Sequence, residues 1–307
     1  MKKRKKILIV GGTGFIGFHL VFQLTKKNYS VSSLSTKLPI KERKIPKVNY
    51  LICDICKFNQ LKKVLKNKNF DYVVNLGGYV DHSNKKKTYE SHFTGCKNLT
   101  KIFLQKKINR FIQIGSSIEN GGKKSPQTES SLTKESLIKS VYGLAKYRAS
   151  QHLIDLHKKF NFPAVILRLY LVYGPKQDTN RFLPIIIKNC LNNKSFPCST
   201  GKQFRDFLYI QDLIDLIKKF LNIKTSLNGE IFNIGSGKPR NIKKTIQLII
   251  KQVKGGRPLY GKIKLRKDEI IKLYPNLKKI KKHINWKPKV SFKLGLKKSI
   301  NYYEKLT

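Results

Sequence analysis

Residues 7–20 read ILIVGGTGFIGFHL, and this stretch decides the fold. Ile7, Leu8, Ile9 and Val10 form an unbroken apolar run, the pattern of a strand buried on both faces. Further on, Phe15, Ile16, Leu20, Val21 and Leu24 recur at helical spacing. Gly11, Gly14 and Gly17 stand between the two patterns in the spacing GxxGxxG. Strand, glycine turn and helix in that order predict a dinucleotide site rather than a merely structural turn. Gly11 can take the positive φ of a tight turn, Gly14 lets the backbone approach a bound group, and Gly17 lets the helix lie on the strand. The N–H groups of the new helix, which begins around Phe15 and Ile16, and its positive dipole end favour a diphosphate.

A chain of 307 residues can bury a sizeable core and suits one large or two modest domains. No apolar run approaches membrane-spanning length, and MKKRKK leads straight into the first strand without a small-residue cleavage site. A cytoplasmic location without membrane attachment is therefore expected. The cysteines, at 53, 56, 96, 190 and 198, form an odd and scattered set, poor material for a disulfide framework. Cys53 and Cys56 spell CDIC, but no second CxxC and no histidine pair completes a ligand set, so no metal site is expected. The net charge of +48, from 65 Lys and Arg against 17 Asp and Glu, attracts polyanions and anionic substrates. These lysines are spread along the whole chain, with no single basic segment flanked by RNA-binding aromatics, which reads as a solvated surface and predicts no specific nucleic-acid partner.

Short apolar runs recur as YSVSSL, NYLIC, YVVNL, RFIQIG and AVILRL, with helical patterns between them. Alternation of that kind predicts an α/β fold: a Rossmann-like, doubly wound parallel sheet with helices on both faces. The pattern dominates to about residue 175. Beyond it, RFLPIIIKNCL and LIDLIKKFL read as helices, EIFNIG as a further buried strand, and LGLKKSINYY as an amphipathic helix. The expected organisation is a dinucleotide domain over 1–175 and a smaller, partly interleaved substrate region over 176–307, with segments near 207–235 returning to the first domain.

Ser116 and Ser117 follow RFIQIG, and Tyr142 and Lys146 stand four apart in VYGLAK. On a helix this spacing puts phenol and ammonium on one face, where the cation favours phenolate and fits the tyrosine for proton transfer. A serine hydroxyl can bind the same reacting oxygen. The set suits interconversion of an alcohol and a ketone.

GGTGFIG, the serine strand end, YGLAK, LRLYLVYGP and FRDFLYIQDL together resemble the extended short-chain dehydrogenase/reductase family of nucleotide-sugar epimerases, dehydratases and reductases. The resemblance covers nearly the whole chain, with its five motifs in the right order. The resemblance implies a Rossmann domain binding NAD or NADP and a nucleotide-sugar substrate. Tyr142 matches the catalytic base, Lys146 the lysine that lowers the tyrosine pKa and holds the nicotinamide ribose, and Ser116 the hydroxyl on the sugar oxygen. Ser117 is the alternative hydroxyl and is counted with the substrate-binding positions. Asp54 matches an acid that contacts the adenine, with Ile55 beside it. Gly77 and Gly78 fill the small-residue pair beneath the cofactor. Arg205 in FRDF and Arg266 in LRKDE match arginines that clamp the substrate diphosphate, a task suited to planar bidentate donors. Members of the family pair as dimers through a helix bundle, so the resemblance admits a homodimer.

Departures from the family pattern narrow the reaction. His92 and Leu171 stand where the family has asparagines. Ser117 and Ile118 replace the Asp-Glu pair of the 4,6-dehydratases, which argues against dehydration. Ser35, Thr36 and Lys37 end the second strand, where NAD-selective sites place a carboxylate that would repel a 2′-phosphate. NADP is therefore the favoured cofactor. The expected activity is hydride transfer at sugar C4, with a 4-ketoreductase slightly ahead of a 4-epimerase that retains NAD. A non-catalytic dinucleotide sensor or nucleic-acid binder is the reading from another class. A Ser/His/Asp hydrolase lacks its GxSxG turn here.

Overall fold

The apolar run that opens the chain becomes β1 (Lys5–Val10), with Ile7, Leu8 and Ile9 fully buried. The computed structural model describes residues 4–306 except 80, 82, 130–133, 224–225 and 266–268. After β1 come α1 (Phe15–Thr25), β2 (Tyr29–Ser35), β3 (Asn49–Ile52), α2 (Phe58–Leu65), β4 (Tyr72–Asn75), α3 (Lys85–Tyr89), α4 (Gly95–Phe103), β5 (Arg110–Ser116), α5 (Val141–Phe160) and β6 (Ala164–Leu169). The later chain gives β7 (Leu171–Tyr173), α6 (Phe182–Leu191), β8 (Ser195–Cys198), β9 (Phe204–Arg205), β10 (Phe207–Tyr209), α7 (Ile210–Asn222) and β11 (Ile231–Ile234). It closes with β12 (Arg240–Asn241), α8 (Ile242–Val253), β13 (Arg257–Tyr260), β14 (Lys272–Leu273), α9 (Lys278–Ile284) and α10 (Phe292–Glu304).

Seven strands form one sheet in the order β11-β6-β5-β4-β1-β2-β3. β1 pairs in parallel with β2, Ile7 opposite Val31, and with β4, Ile7 opposite Tyr72. Strands covered by helices on both faces must be apolar throughout, and β4 and β6 are buried along their whole length. The strand order reverses between β1 and β4, so a crevice opens at their carboxyl ends. Gly11 and Leu76 meet there: a β-carbon on Gly11 would lie 3.0 Å from the Leu76 carbonyl.

Two compact units divide the chain: Met1–Gly121, Ser131–Arg168 and Ile217–Phe232 form one, and Gly122–Ser130, Leu169–Leu216 and Asn233–Thr307 the other. In the first unit the segment before the crossover ends at Arg168, and the later segment that joins it runs from Ile217 to Phe232. AVILRL belongs to the large sheet, whereas LYLVYGP, directly after it, contributes β7, which pairs with β10 instead. The second unit also holds the pairs β8-β13 and the three-stranded β12-β9-β14. Its core packs Tyr173, Phe207 and Phe292 in edge-on and tilted contacts.

Candidate active site

The glycine turn has the form its sequence predicts. Gly11 takes φ +75° and donates its N–H to the Leu34 carbonyl at 2.8 Å. A β-carbon on Gly17 would collide with the Gly11 carbonyl, so helix and strand can approach only with glycine there. Gly14 is different: a β-carbon there would make only an ordinary 3.4 Å contact. Nothing in the protein itself demands that glycine. Gly14 is also the N-cap of α1, offers no side-chain acceptor, and the first turn from Phe15 carries no acid. A helix start built this way fits an incoming anion.

At the end of β2 the Ser35 hydroxyl oxygen is buried yet has no hydrogen-bond partner among the described residues, and Lys37 is exposed. An orphaned hydroxyl of this kind is costly unless a ligand completes it. Arg43 reaches back to the glycine turn and donates to the Thr13 carbonyl at 3.3 Å. Sequence reading missed this arginine because it lies in an irregular segment eight residues beyond β2. Asp54 accepts the Cys56 N–H at 2.9 Å and so shapes its own turn. Ile55 is buried and fills the space that β-carbons on Gly77 and Gly95 would need. These residues fit a dinucleotide: an open helix N-terminus, a glycine floor at Gly77 and an unsatisfied hydroxyl. Cys53 and Cys56 are free, and burial pushes the Cys56 thiol up to about 12.

Ser140 caps α5 by accepting the Gly143 N–H at 3.0 Å, which sets the helix start one residue before Tyr142. Tyr142 and Lys146 then lie one turn apart. Lys146 is buried and donates from Nζ to the Ile114 carbonyl at 2.7 Å, on β5 two residues before Ser116. Burial pushes its pKa down to about 8, and the nearby charge of Glu119 opposes that fall. Ser116 ends β5 in an extended conformation, and its hydroxyl accepts the Ile118 N–H at 3.5 Å. Ser117 is buried. His92 sits in a π-helical turn, Glu90–Thr94, between α3 and α4. Its ring meets the Tyr142 ring edge-on, with centroids 4.9 Å apart. A β-carbon on Gly78 would collide with that imidazole, so the second glycine of NLGG makes room for His92.

Two further residues escaped sequence reading. Glu119 is fully buried and pairs with Arg168 of β6, Nε to Oε2 at 2.8 Å. A signal for each was present: Ser116-x-x-Glu119 has the spacing of a capping box, and an arginine inside AVILRL needs a buried partner.

In the second unit, Arg205 forms an ion pair with Glu269 and donates to the Phe204 carbonyl at 2.9 Å. Its neighbour Asp206 accepts the Ser236 N–H, a turn-forming role. Glu269 lines a cavity of about 630 Å³ together with Gly122, Lys123, Ser125 and Lys272. Arg205 also donates to Ile271, another wall of that cavity. Arg266 lies outside the described residues. Leu171 is an exposed residue of β7. No described helix is long and apolar enough to cross a membrane.

A glycine turn at the switch point of a doubly wound sheet, followed by a Tyr-x-x-x-Lys helix docked under β5, defines an enzyme of the extended short-chain dehydrogenase/reductase type. The chain belongs to the NAD dependent epimerase/dehydratase family, whose sequence profile matches residues 7–235. It is similar to the CDP-abequose synthase of Salmonella muenchen, 28% identical over 98% of each chain. A putative UDP-glucose 4-epimerase of Methanocaldococcus jannaschii is 27% identical over 96% of this chain and 97% of its own. Among solved structures, the UDP-glucuronic acid 4-epimerase of Bacillus cereus, in complex with UDP-glucuronic acid and NAD, is 27% identical with a TM-score of 0.88. That match covers 98% of this chain and all of the other.

Proposed function

We propose that this protein is a nucleotide-sugar oxidoreductase that transfers hydride at sugar C4, as a 4-ketoreductase using NADPH. One observation carries the reading: Lys146 docks on β5 two residues before Ser116 and one helical turn from Tyr142, gathering three groups that serve one carbonyl. When bound, the nicotinamide supplies a hydride donor and acceptor. Tyr142 gives its phenolic proton to the sugar O4 during reduction, and Lys146 holds the resulting phenolate by its charge. Ser116 orients the same oxygen. Arg43, Ser35 and Lys37 would receive the adenosine end, and a guanidinium beside the glycine turn suits a 2′-phosphate. Arg205 and the cavity beside it would receive the nucleotide diphosphate, with Arg205 released from Glu269.

Dehydration is disfavoured by the same geometry. Ser117 and Ile118 offer no acid, and Glu119, one position later, is fully buried in its pair with Arg168 and cannot reach a substrate. The test is to mix the protein with a 4-keto nucleotide sugar and NADPH and follow absorbance of the reduced cofactor. Stoichiometric consumption is expected. Interconversion of 4-epimers without net consumption would instead assign an epimerase, and no turnover of any such sugar would remove the reading.

A further inference from the structure

We propose that Glu119 is a positioning residue for Ser116, Tyr142 and Lys146: its carboxylate ties the backbone of Ser116 to the face of α5 that carries the other two. The proposal rests on the catalytic assignment of those three residues. Ser116 donates its backbone N–H to Oε1 at 2.6 Å. Ser150 donates its hydroxyl to Oε2 at 2.7 Å, and Arg168 donates from Nε to the same oxygen at 2.8 Å. Arg168 also donates to the Asn120 side-chain oxygen at 2.9 Å. Tyr142, Lys146 and Ser150 follow one another at steps of four on α5, so they share one face. Glu119 therefore joins the strand end and the helix face that must stay in register for a hydroxyl and a phenol to meet one oxygen.

Only a carboxylate does this. It accepts at both oxygens, whereas a carboxamide in the same place turns two N–H donors toward groups that already donate. The site is buried, with Glu119 0% and Arg168 2% exposed. A buried ion pair adds little net stability over an apolar pair of similar volume, so stability alone does not account for one at this spot. Placement of Ser116 does.

The charge has a second consequence. Lys146 is faced by Glu119 from the turn after β5, by Cys96 from α4 and by the Ile114 carbonyl from β5, with Tyr142 one turn earlier on its own helix. Burial keeps the Cys96 thiol neutral, its pKa pushed up to about 12. The charge of Glu119 thus opposes, without cancelling, the fall that burial imposes on the Lys146 pKa.

The test separates the tie from the charge and needs no substrate for its first half. In protein labelled with 13C at lysine Cε, the Lys146 resonance, assigned by its loss in Lys146→Arg, is titrated by NMR. Glu119→Gln should lower that midpoint by about one pH unit, a tenfold change in the protonation equilibrium. Ser150→Ala, which removes only the helix tie, should leave the midpoint in place. In the reductase assay both variants should lose kcat, Glu119→Gln by about tenfold or more, with KM and cofactor affinity within about twofold of wild type. Wild-type kcat in Ser150→Ala overturns the tie, and an unmoved midpoint in Glu119→Gln overturns the role of the charge. Should Glu119→Gln fail to fold, Ser150→Ala decides alone. If the wild-type protein turns over no 4-keto sugar, the functional reading fails while the titration still decides the place of Glu119.

Discussion

Replacing Lys146 by methionine should abolish a pH dependence of stability that the wild-type protein carries. The Lys146 amine is buried, and burial holds its pKa at about 8 against 10.5 for an exposed lysine. Between those two values the unfolded chain holds a proton that the folded protein has released. Stability of the wild type therefore rises with pH through that window, and below it the full cost of burying an ammonium is present. The gap between about 8 and 10.5 corresponds to about 3 kcal/mol, at roughly 1.4 kcal/mol per pH unit. Between about pH 7 and about pH 10 the wild type should gain roughly 2.5 kcal/mol relative to Lys146→Met. Urea unfolding of both proteins at the two pH values reads this directly, because every other group titrates alike in both and cancels in the difference. Glu119, the charged partner of the amine, is itself fully buried and the site is shielded from solvent, so added salt should change the result little. A difference that stays constant to within about 0.5 kcal/mol across this range, or that moves the other way, refutes the claim that the ammonium is buried.

Tyr142→Phe should reduce turnover by about 10²–10⁴-fold while leaving cofactor binding near wild type, read by steady-state rates and fluorescence titration. Arg43→Ala should weaken NADPH binding by about tenfold and NADH binding little, as loss of one charge-assisted contact to a phosphate implies; equal effects on both would place the guanidinium elsewhere. Gly78→Ala should cost about 1–3 kcal/mol by overpacking, because its methyl collides with His92. Adding His92→Ala should recover most of that loss in thermal unfolding, and strict additivity of the two changes would deny the contact.

The fold was legible because its signals were local. Each of YSVSSL, NYLIC, YVVNL, RFIQIG and AVILRL gives a strand of the large sheet, since central strands covered on both faces must be apolar and helices must separate parallel neighbours. The glycine turn was legible for the same reason: φ +75° at Gly11 and the close approach at Gly17 are demands that only glycine meets. The change of sheet after β6 was not, because β6 and β7 are nearly continuous apolar sequence and only their hydrogen-bonded partners distinguish them. Arg43 was hidden in an irregular segment, where no periodicity says which way a side chain turns. Glu119 was masked by its position one residue past the pair that dehydratases use, although its capping-box spacing to Ser116 was in plain view.

His92 shows why a departure from a family pattern has to be read with its neighbours. An imidazole is wider than the carboxamide it replaces, and two features far apart in sequence accommodate it. The π-helical turn Glu90–Thr94 takes an extra residue into the helix and changes where its side chains point. Gly78, on the loop after β4, leaves empty the volume that a β-carbon would take. Together they seat the ring edge-on against Tyr142 at 4.9 Å, an arrangement aromatic pairs favour. The position that departs from the asparagine of the resembled family is therefore occupied by a group that packs on the Tyr142 phenol. Its effect should be felt in where that phenol points, and the pair of changes at 78 and 92 measures the contact that places it.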